Sequence, residues 1–164
     1  MGDRAQRVKG KAEELKGRAK CNVLQDFGIA LHAAQDFYAH TNWVDAKDAT
    51  PPGFGMIAPA PFIELRQFPP RPAGLISGCF SIWGDCGARI THAQLNKDTG
   101  PIGAVVGPGT TPRGAYFAAA VSAATADSID KLAVLQERIV AAYGPADGRR
   151  MMCAITHDDP VKTC

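Results

Sequence analysis

The chain has 164 residues, of which 46% are apolar and 21% charged, a composition typical of a single globular domain with a core of ordinary size. The formal net charge of +2 is too small for the whole surface to act as a nucleic-acid or anionic-membrane binder. Glycine and proline together contribute 29 residues, about 18% against the roughly 12% usual in soluble proteins, which predicts long loops.

The first 20 residues form a basic segment with a net charge of +4, against −2 for the rest of the chain. Glu13 precedes Lys16, and Glu14 precedes Arg18, at spacings that let opposite charges meet on a helix. We therefore predict a basic helical arm over residues 1–20, ahead of a main domain over 21–164. The sequence has no run of 18 or more apolar residues, the length that a membrane-spanning helix needs. Its polar start is unlike a signal peptide.

Four of the five cysteines form two pairs that are close in sequence. Cys79 and Cys86 are seven residues apart, and Cys153 and Cys164 are eleven apart, so each pair could close a short loop in an oxidising compartment. Buried free thiols are the alternative, and Cys21 is left over in either case. If the cysteines pair and a leader has been removed, the protein is secreted; otherwise we expect it in the cytoplasm.

Apolar periodicity predicts two principal helices. Apolar residues recur at intervals of three and four over 23–44, which predicts a well-buried helix that continues from the basic arm. An alanine-rich helix over 114–143, ended by Gly144 and Pro145, is expected to lie directly against it. Prolines and glycines exclude most regular structure from 47–75 and 100–114. The predicted fold class is a mostly α, single helical domain with long Pro/Gly-rich loops.

One face of the 23–44 helix has the residue types of a metal site. His32, Asp36 and His40 follow one another at i, i+4 and i+8, so all three side chains project from one side of the helix. Imidazole and carboxylate are good zinc ligands, and ligands one turn apart can share an ion. Gln35 and Asn42 could orient these ligands by hydrogen bonds without contacting the ion. His92 is a weaker candidate ligand, supported by the neighbouring Asn96 and Asp98. An isolated histidine such as His157 is more often an ordinary polar residue.

The run LHAAQDFYAHTNWV over 31–44 resembles the signature LHxxQDFYxHxNWV of the Het-C-like family. Three further segments follow in the family's order. They are SGCF over 77–80, DCGARITHAQLNKD over 85–98 and TPRGAYFAAAVSAATADSI over 111–129. The resemblance therefore covers about residues 24–140. Such domains are similar to zinc-dependent phospholipase C and the single-strand-specific zinc nucleases, which implies an all-helical fold and hydrolysis of phosphodiesters.

The resemblance implies a ligand set for zinc. His32 and Asp36 would be the first ligands, with Asp36 able to bridge two ions, and His40 would serve a second ion. His92 matches the histidine of the family's KCSHG-like element. The family's late-helix histidines are replaced by other residues, so we expect one or two ions rather than three. A nitrogen and oxygen site without thiolate also suits manganese, iron or nickel.

The implied mechanism is metal-assisted hydrolysis of a phosphodiester or phospholipid. Asp36 and Asp98 would be the catalytic carboxylates, and Asp98, which matches the family's NKD aspartate, would take the proton of the attacking water. Arg113 would bind the phosphate, since an arginine at a helix N-terminus is a natural anion site. Asn42 would contact substrate or orient the ligands. Arg113 and Tyr116 stand where the family often has histidines.

Two other functions are compatible with the same residues. His32 and Asp36 could form a hydrogen-bonded pair in a non-catalytic binding or scaffold module that acts through partner or membrane-surface contacts of the basic arm. In a small secreted effector, a metal ion could instead stabilise the fold without turnover. Nucleic-acid binding and the oligomeric state are left open by the sequence.

Overall fold

The computed structural model describes residues 2–50, 52–59, 73–80, 84–98, 113–157 and 164, with side chains of the first helix described from Arg18 onward. Its α-helices are α1 (Gly2–His40), α2 (His92–Leu95), α3 (Phe117–Tyr143) and α4 (Pro145–Thr156), and a 3-10 turn over Gly114–Tyr116 leads into α3. The described residues outside them pair only as isolated β-bridges. The predicted mostly α fold is confirmed.

The chain divides into two compact units, and the division falls within α1 and within α3. The larger unit comprises His32–Lys131, and the smaller one comprises Met1–Leu31 together with Leu132–Cys164. The predicted boundary between residues 20 and 21 lies inside the unbroken helix α1. The domain boundary stays a prediction. Exposure of the basic side chains of the arm also stays a prediction, because side chains as far as residue 17 lie outside the described part.

Helix α1 forms as one continuous element, as predicted, but it ends at His40 rather than near residue 44. The Thr41 hydroxyl donates to Phe37 O at 2.5 Å and accepts from Trp43 N at 3.2 Å, which turns the chain. The prediction of a well-buried helix is wrong for the middle of α1, where Ile29 is 62% exposed. Val23 and Leu24 are exposed as well, and the described α1 side chains that pack in the core described next, Phe37 and Tyr38, lie in its last turns.

The core of the larger unit lies between the end of α1 and the alanine-rich start of α3. Tyr38 and Trp43 are 0% and 3% exposed and cluster with Ala120 and Ala123 of α3. Alanine at these positions lets the aromatic rings approach the helix backbone closely, because it has no side chain beyond Cβ. The predicted packing of α3 on the first helix is thus confirmed at this end.

The loop that follows α1 is held by the Asn42 side chain. Its amide nitrogen donates to Pro52 O at 3.1 Å and to Gly74 O at 2.9 Å, and its Oδ1 accepts from Ile76 N at 2.8 Å. One buried amide therefore ties three loop positions to the end of α1. Of the predicted loops over 47–75 and 100–114, residues 60–72 and 100–112 lie outside the described residues.

A charged network is buried beside this core. The carboxylate of Asp45, which is fully buried, pairs with Arg113 and lies 3.2 Å from Lys97 Nζ. Lys97 Nζ also donates to Thr41 O at 2.5 Å and Leu95 O at 3.0 Å. Burial lowers the pKa of Lys97 to about 8, with the charge of Asp98 acting in the opposite direction. These contacts connect three segments that are distant in sequence.

In the smaller unit, α3 and α4 meet at a tight corner. Gly144 ends α3 with φ +83°, a conformation that favours glycine, and Pro145 opens α4. A Cβ on Gly148 would lie 2.6 Å from the Cα of Val140, so the two helix backbones are in close contact. The predicted end of the 114–143 helix at Gly144 and Pro145 is confirmed, and α4 is a further helix that the sequence did not predict.

Both predicted cysteine pairs are disulfides, Cys79–Cys86 and Cys153–Cys164, and Cys21 is exposed and free. Two disulfides are typical of a protein that matures in an oxidising environment. Among the described helices, none is long and apolar enough to span a membrane.

Candidate metal centre

A short extended segment, residues 76–80, connects the end of α1 with the segment before α2. Ser77 forms an antiparallel bridge with Thr41, and Cys79 forms a parallel bridge with Thr91. Cys79 N donates to Ile90 O at 2.8 Å, and His92 N donates to Cys79 O at 2.9 Å. The C-terminal end of α1 and the start of α2 are therefore brought side by side, although more than 50 residues separate them in sequence.

Gly78 allows this close approach. A Cβ at Gly78 would lie 2.3 Å from the Cα of His92, a backbone atom that cannot move aside alone. We expect Gly78→Ala to lower the free energy of unfolding by about 1–3 kcal/mol, as overpacking does. Urea denaturation measures this change.

Gly28→Ala is the matched control, because a Cβ at Gly28 meets nothing within 4 Å in the middle of α1. Alanine there should raise the free energy of unfolding by about 0.5–1 kcal/mol, since glycine is a weak helix former. Equal stability of Gly78→Ala and the unaltered protein would contradict the close approach at His92.

Helix α2 is fixed by a capping box. Gln94 N donates to Thr91 Oγ1, and Thr91 N donates to Gln94 Oε1 at 2.8 Å. Leu95, fully buried, anchors the other end of this short helix. The cap and the anchor together set the position of His92 and of Asp98 just beyond α2.

These elements bring five of the predicted site residues together. His40 Nε2 lies 3.9 Å from Asp36 Oδ1 and 3.4 Å from Asp98 Oδ1. The other oxygen of Asp36, Oδ2, lies 3.4 Å from His32 Nε2. The ring centroids of His40 and His92 are 3.9 Å apart. We call this group of residues the His40 cluster: His32, Asp36, His40, His92 and Asp98.

The two central rings differ in how they meet their surroundings. His40 is 18% exposed, and its buried Nδ1 has no hydrogen-bond partner among the described residues, so its polar contacts run through Nε2. His92 lies between His40 and the half-exposed ring of Phe80, whose centroid is 4.1 Å away. Burial and the neighbouring His40 lower the pKa of His92, against the opposing effect of Asp98 and Asp36. His92 is therefore neutral near pH 7 and retains a lone pair.

Two pairs of donors within the His40 cluster have spacings that one divalent metal ion could span. Two nitrogen or oxygen ligands of one tetrahedral zinc ion lie about 3.3 Å apart, given metal–ligand distances near 2.0–2.1 Å. The 3.4 Å separations of His40 from Asp98 and of His32 from Asp36 match this value. Asp36 and Asp98 are about half exposed, which leaves both carboxylates room to close the longer distances around an ion.

Two residues predicted to contact substrate are placed inside the protein. Arg113 is 4% exposed and faces the carboxylate of Asp45, and Asn42 is fully buried in its contacts to the loop backbone. The guanidinium of Arg113 is thus paired with a carboxylate and buried, whereas the prediction had it bind a phosphate. The structure therefore gives both side chains a role in holding the fold, and we leave them out of the function proposed below.

A second group of donors, not predicted from the sequence, lies in the smaller unit. Donor atoms of Cys153, His157 and Cys164 all lie within 4.8 Å of one another, so the group could hold a metal ion. No three residues of the His40 cluster meet this criterion, so its described donors would have to move closer together to hold one ion. The two sulfurs are bonded to each other here, and a disulfide sulfur is not a thiolate ligand, so only the reduced form of the group has the right donors. The i, i+4 spacing of Cys153 and His157 is the feature of the sequence that could have predicted that these two donors lie on one side of a helix.

Comparison with known proteins yields no relative for this chain. No protein-family model matches it, and no curated protein or solved structure does so either.

Proposed function

We propose that this protein is a zinc-dependent phosphodiester hydrolase of the Het-C-like kind, with one or two ions held by His32, Asp36, His40 and His92. One observation carries the proposal: segments 32–40 and 92–98, far apart in sequence, contribute imidazoles and carboxylates to a single cluster. The three imidazoles and two carboxylates of the cluster are residue types that bind divalent metals.

The position of Asp36 supports the assignment of more than one ligand role. Its two carboxylate oxygens face different imidazoles, Oδ2 toward His32 and Oδ1 toward His40. A carboxylate with one oxygen on each side is suited to bridge two ions or to orient two histidines around one. Neutral His92 contributes a further nitrogen without having to lose a proton first.

A bound zinc ion would supply positive charge to the phosphoryl oxygens and acidify a water molecule near neutral pH. The protein's own contribution to proton transfer is Asp98, whose half-exposed carboxylate can accept a proton at the edge of the cluster. Asn96 Oδ1 accepts from Asp98 N at 2.8 Å and so fixes the backbone that carries this carboxylate. The phosphodiester substrate class itself comes from the resemblance to phospholipase C and the zinc nucleases.

A second candidate function is a metal-free binding or scaffold module. The observation that favours it is that the carboxylates already face imidazole nitrogens, so that Asp36 and Asp98 have polar partners without an ion. In that case the His40 cluster would stabilise the junction of α1 and α2 rather than bind substrate.

We expect Asp98→Asn to reduce zinc-dependent hydrolysis by about 10²–10⁴-fold, the usual contribution of a positioned proton acceptor. The substrates are bis(p-nitrophenyl) phosphate, phosphatidylcholine vesicles and a single-stranded DNA oligonucleotide. Zinc affinity of the variant, measured in parallel, separates loss of the base from loss of the ion.

Asp85→Asn is the matched control for this variant. Asp85 is an exposed carboxylate whose Oδ1 accepts from Gly87 N at 2.9 Å, a contact that asparagine can keep. Its hydrolysis rate should equal that of the unaltered protein. Absence of hydrolysis of all three substrates by the zinc-loaded protein would favour the scaffold module.

A further inference from the structure

The end of α4 carries a group of donors whose chemistry differs from that of the His40 cluster. Cys153 lies in the last turn of α4, and His157 caps the helix four residues later. His157 N donates to Cys153 O at 3.1 Å, and His157 O accepts from Lys20 Nζ at 2.5 Å. The imidazole is thus held beside the Cys153 sulfur by its own backbone.

We propose that Cys153, His157 and Cys164 form a redox-controlled metal site, which is a disulfide when oxidised and binds Zn²⁺ through two thiolates and one imidazole when reduced. The inference does not depend on the function proposed for the His40 cluster. Thiolate and imidazole together are a donor set that selects zinc among common divalent ions.

The distances in the group fit this ion. A sulfur and a nitrogen ligand of one tetrahedral zinc ion lie about 3.6 Å apart, given bonds of about 2.3 Å and 2.0–2.1 Å. Cys153 Sγ and His157 Nδ1 are 3.7 Å apart in the disulfide form. The two sulfurs would have to separate from a bonded pair to about 3.8 Å, the distance between two thiolates on one zinc ion.

The change of state is a balanced exchange. A dithiol reductant gives two electrons to the Cys153–Cys164 bond, which breaks, and each sulfur takes one proton while the reductant becomes a disulfide. Zinc binding then displaces both thiol protons to solvent. His157 Nδ1 lies 3.0 Å from Cys153 O and 3.1 Å from Thr156 Oγ1, so in the disulfide form its proton can be donated to the carbonyl. Ligation requires that proton to move to Nε2.

The site is accessible to both reagents. Cys164 and His157 are exposed and Cys153 is half-buried, so a reductant and an ion can approach from solvent. Cys79 and Cys86 provide an internal comparison, because they form a second disulfide elsewhere in the chain.

Cobalt(II) titration of the full chain tests the proposal, since thiolate ligands give a sulfur-to-cobalt charge-transfer absorption that the sulfur-free His40 cluster cannot produce. A phosphine, which becomes its oxide, replaces the dithiol because it has no sulfur to bind the probe. We expect the absorption to saturate at about one Co²⁺ per chain after reduction and to be absent before it. Cys153→Ser should abolish it and His157→Asn should weaken binding at least tenfold.

The double variant Cys79→Ser with Cys86→Ser is the matched control and should keep the full absorption. Loss of zinc from the His40 cluster would leave these results unchanged, so the two proposals fail separately. No charge-transfer absorption in the reduced protein, or an undiminished one in Cys153→Ser, would overturn the proposed site.

Discussion

Asp45→Asn is expected to lower the free energy of unfolding by about 3–5 kcal/mol, the usual cost of breaking a buried ion pair from one side. The carboxylate of Asp45 is the shared partner of Arg113 and Lys97, and all three side chains are buried. An asparagine of the same size removes the negative charge and leaves two cations without it. Lys97 would keep its backbone carbonyl acceptors, but these do not neutralise its charge.

Urea denaturation at neutral pH measures this loss, with Asp147→Asn as the matched control. Asp147 pairs with Arg150 at 3.8 Å on the surface of α4, where both side chains are at least 70% exposed. Such a pair contributes little, and we expect a change within about 0.5 kcal/mol. Similar effects of the two substitutions would contradict the buried network.

His40→Asn is expected to weaken zinc binding by at least about a hundredfold, because His40 is the residue that joins both halves of its cluster. Its Nε2 faces carboxylates from α1 and from the segment after α2, and its ring contacts that of His92. Asparagine is too short to replace Nε2. Loss of one ligand from a site with four protein ligands removes much of its affinity.

Isothermal titration of zinc into protein with intact disulfides measures the affinity of the His40 variant. His157→Asn is the matched control, since His157 belongs to the other donor group and should leave affinity unchanged under oxidising conditions. Circular dichroism should show equal helicity in both variants. Unaltered zinc affinity in His40→Asn would exclude the His40 cluster as the binding site.

The two long helices, α1 and α3, follow from sequence periodicity, whereas the short helices α2 and α4 were not predicted. The i, i+4, i+8 spacing placed His32, Asp36 and His40 on one face of α1, where the structure also has them close together. The two disulfides followed from short sequence separations. Such local patterns are readable because the helix repeat and the reach of a short loop are fixed by backbone geometry.

The approach of His92 to His40 could not be derived from spacing. It depends on segment 76–80, whose register is set by contacts of Gly78 and Cys79 with chain far away in sequence. His92 and Asp98 were predicted through the family resemblance instead. For the Cys153, His157 and Cys164 group, the sequence predicted only the pairing of the two cysteines, and the i, i+4 spacing of His157 from Cys153 was the one sign of a third donor.

Arg113 shows why a charged residue in a loop is hard to assign. Its position before a helix predicted an anion site, yet its guanidinium pairs with Asp45, which comes from a segment 68 residues earlier. Asp45, Lys97 and Arg113 come from three separate segments, with one member of the network in each. Periodicity within a segment therefore cannot predict that the three side chains meet. Tertiary contacts decided the role of this arginine.

Elemental analysis of the unaltered protein shows directly whether the His40 cluster binds zinc. The protein is purified without a histidine-rich tag and with the Cys153–Cys164 disulfide closed, so that the sulfur-containing group cannot contribute. We expect about one or two zinc ions per chain, either as purified or after zinc is added and the excess removed. A protein that contains no zinc and takes up none would contradict a metal centre at the His40 cluster.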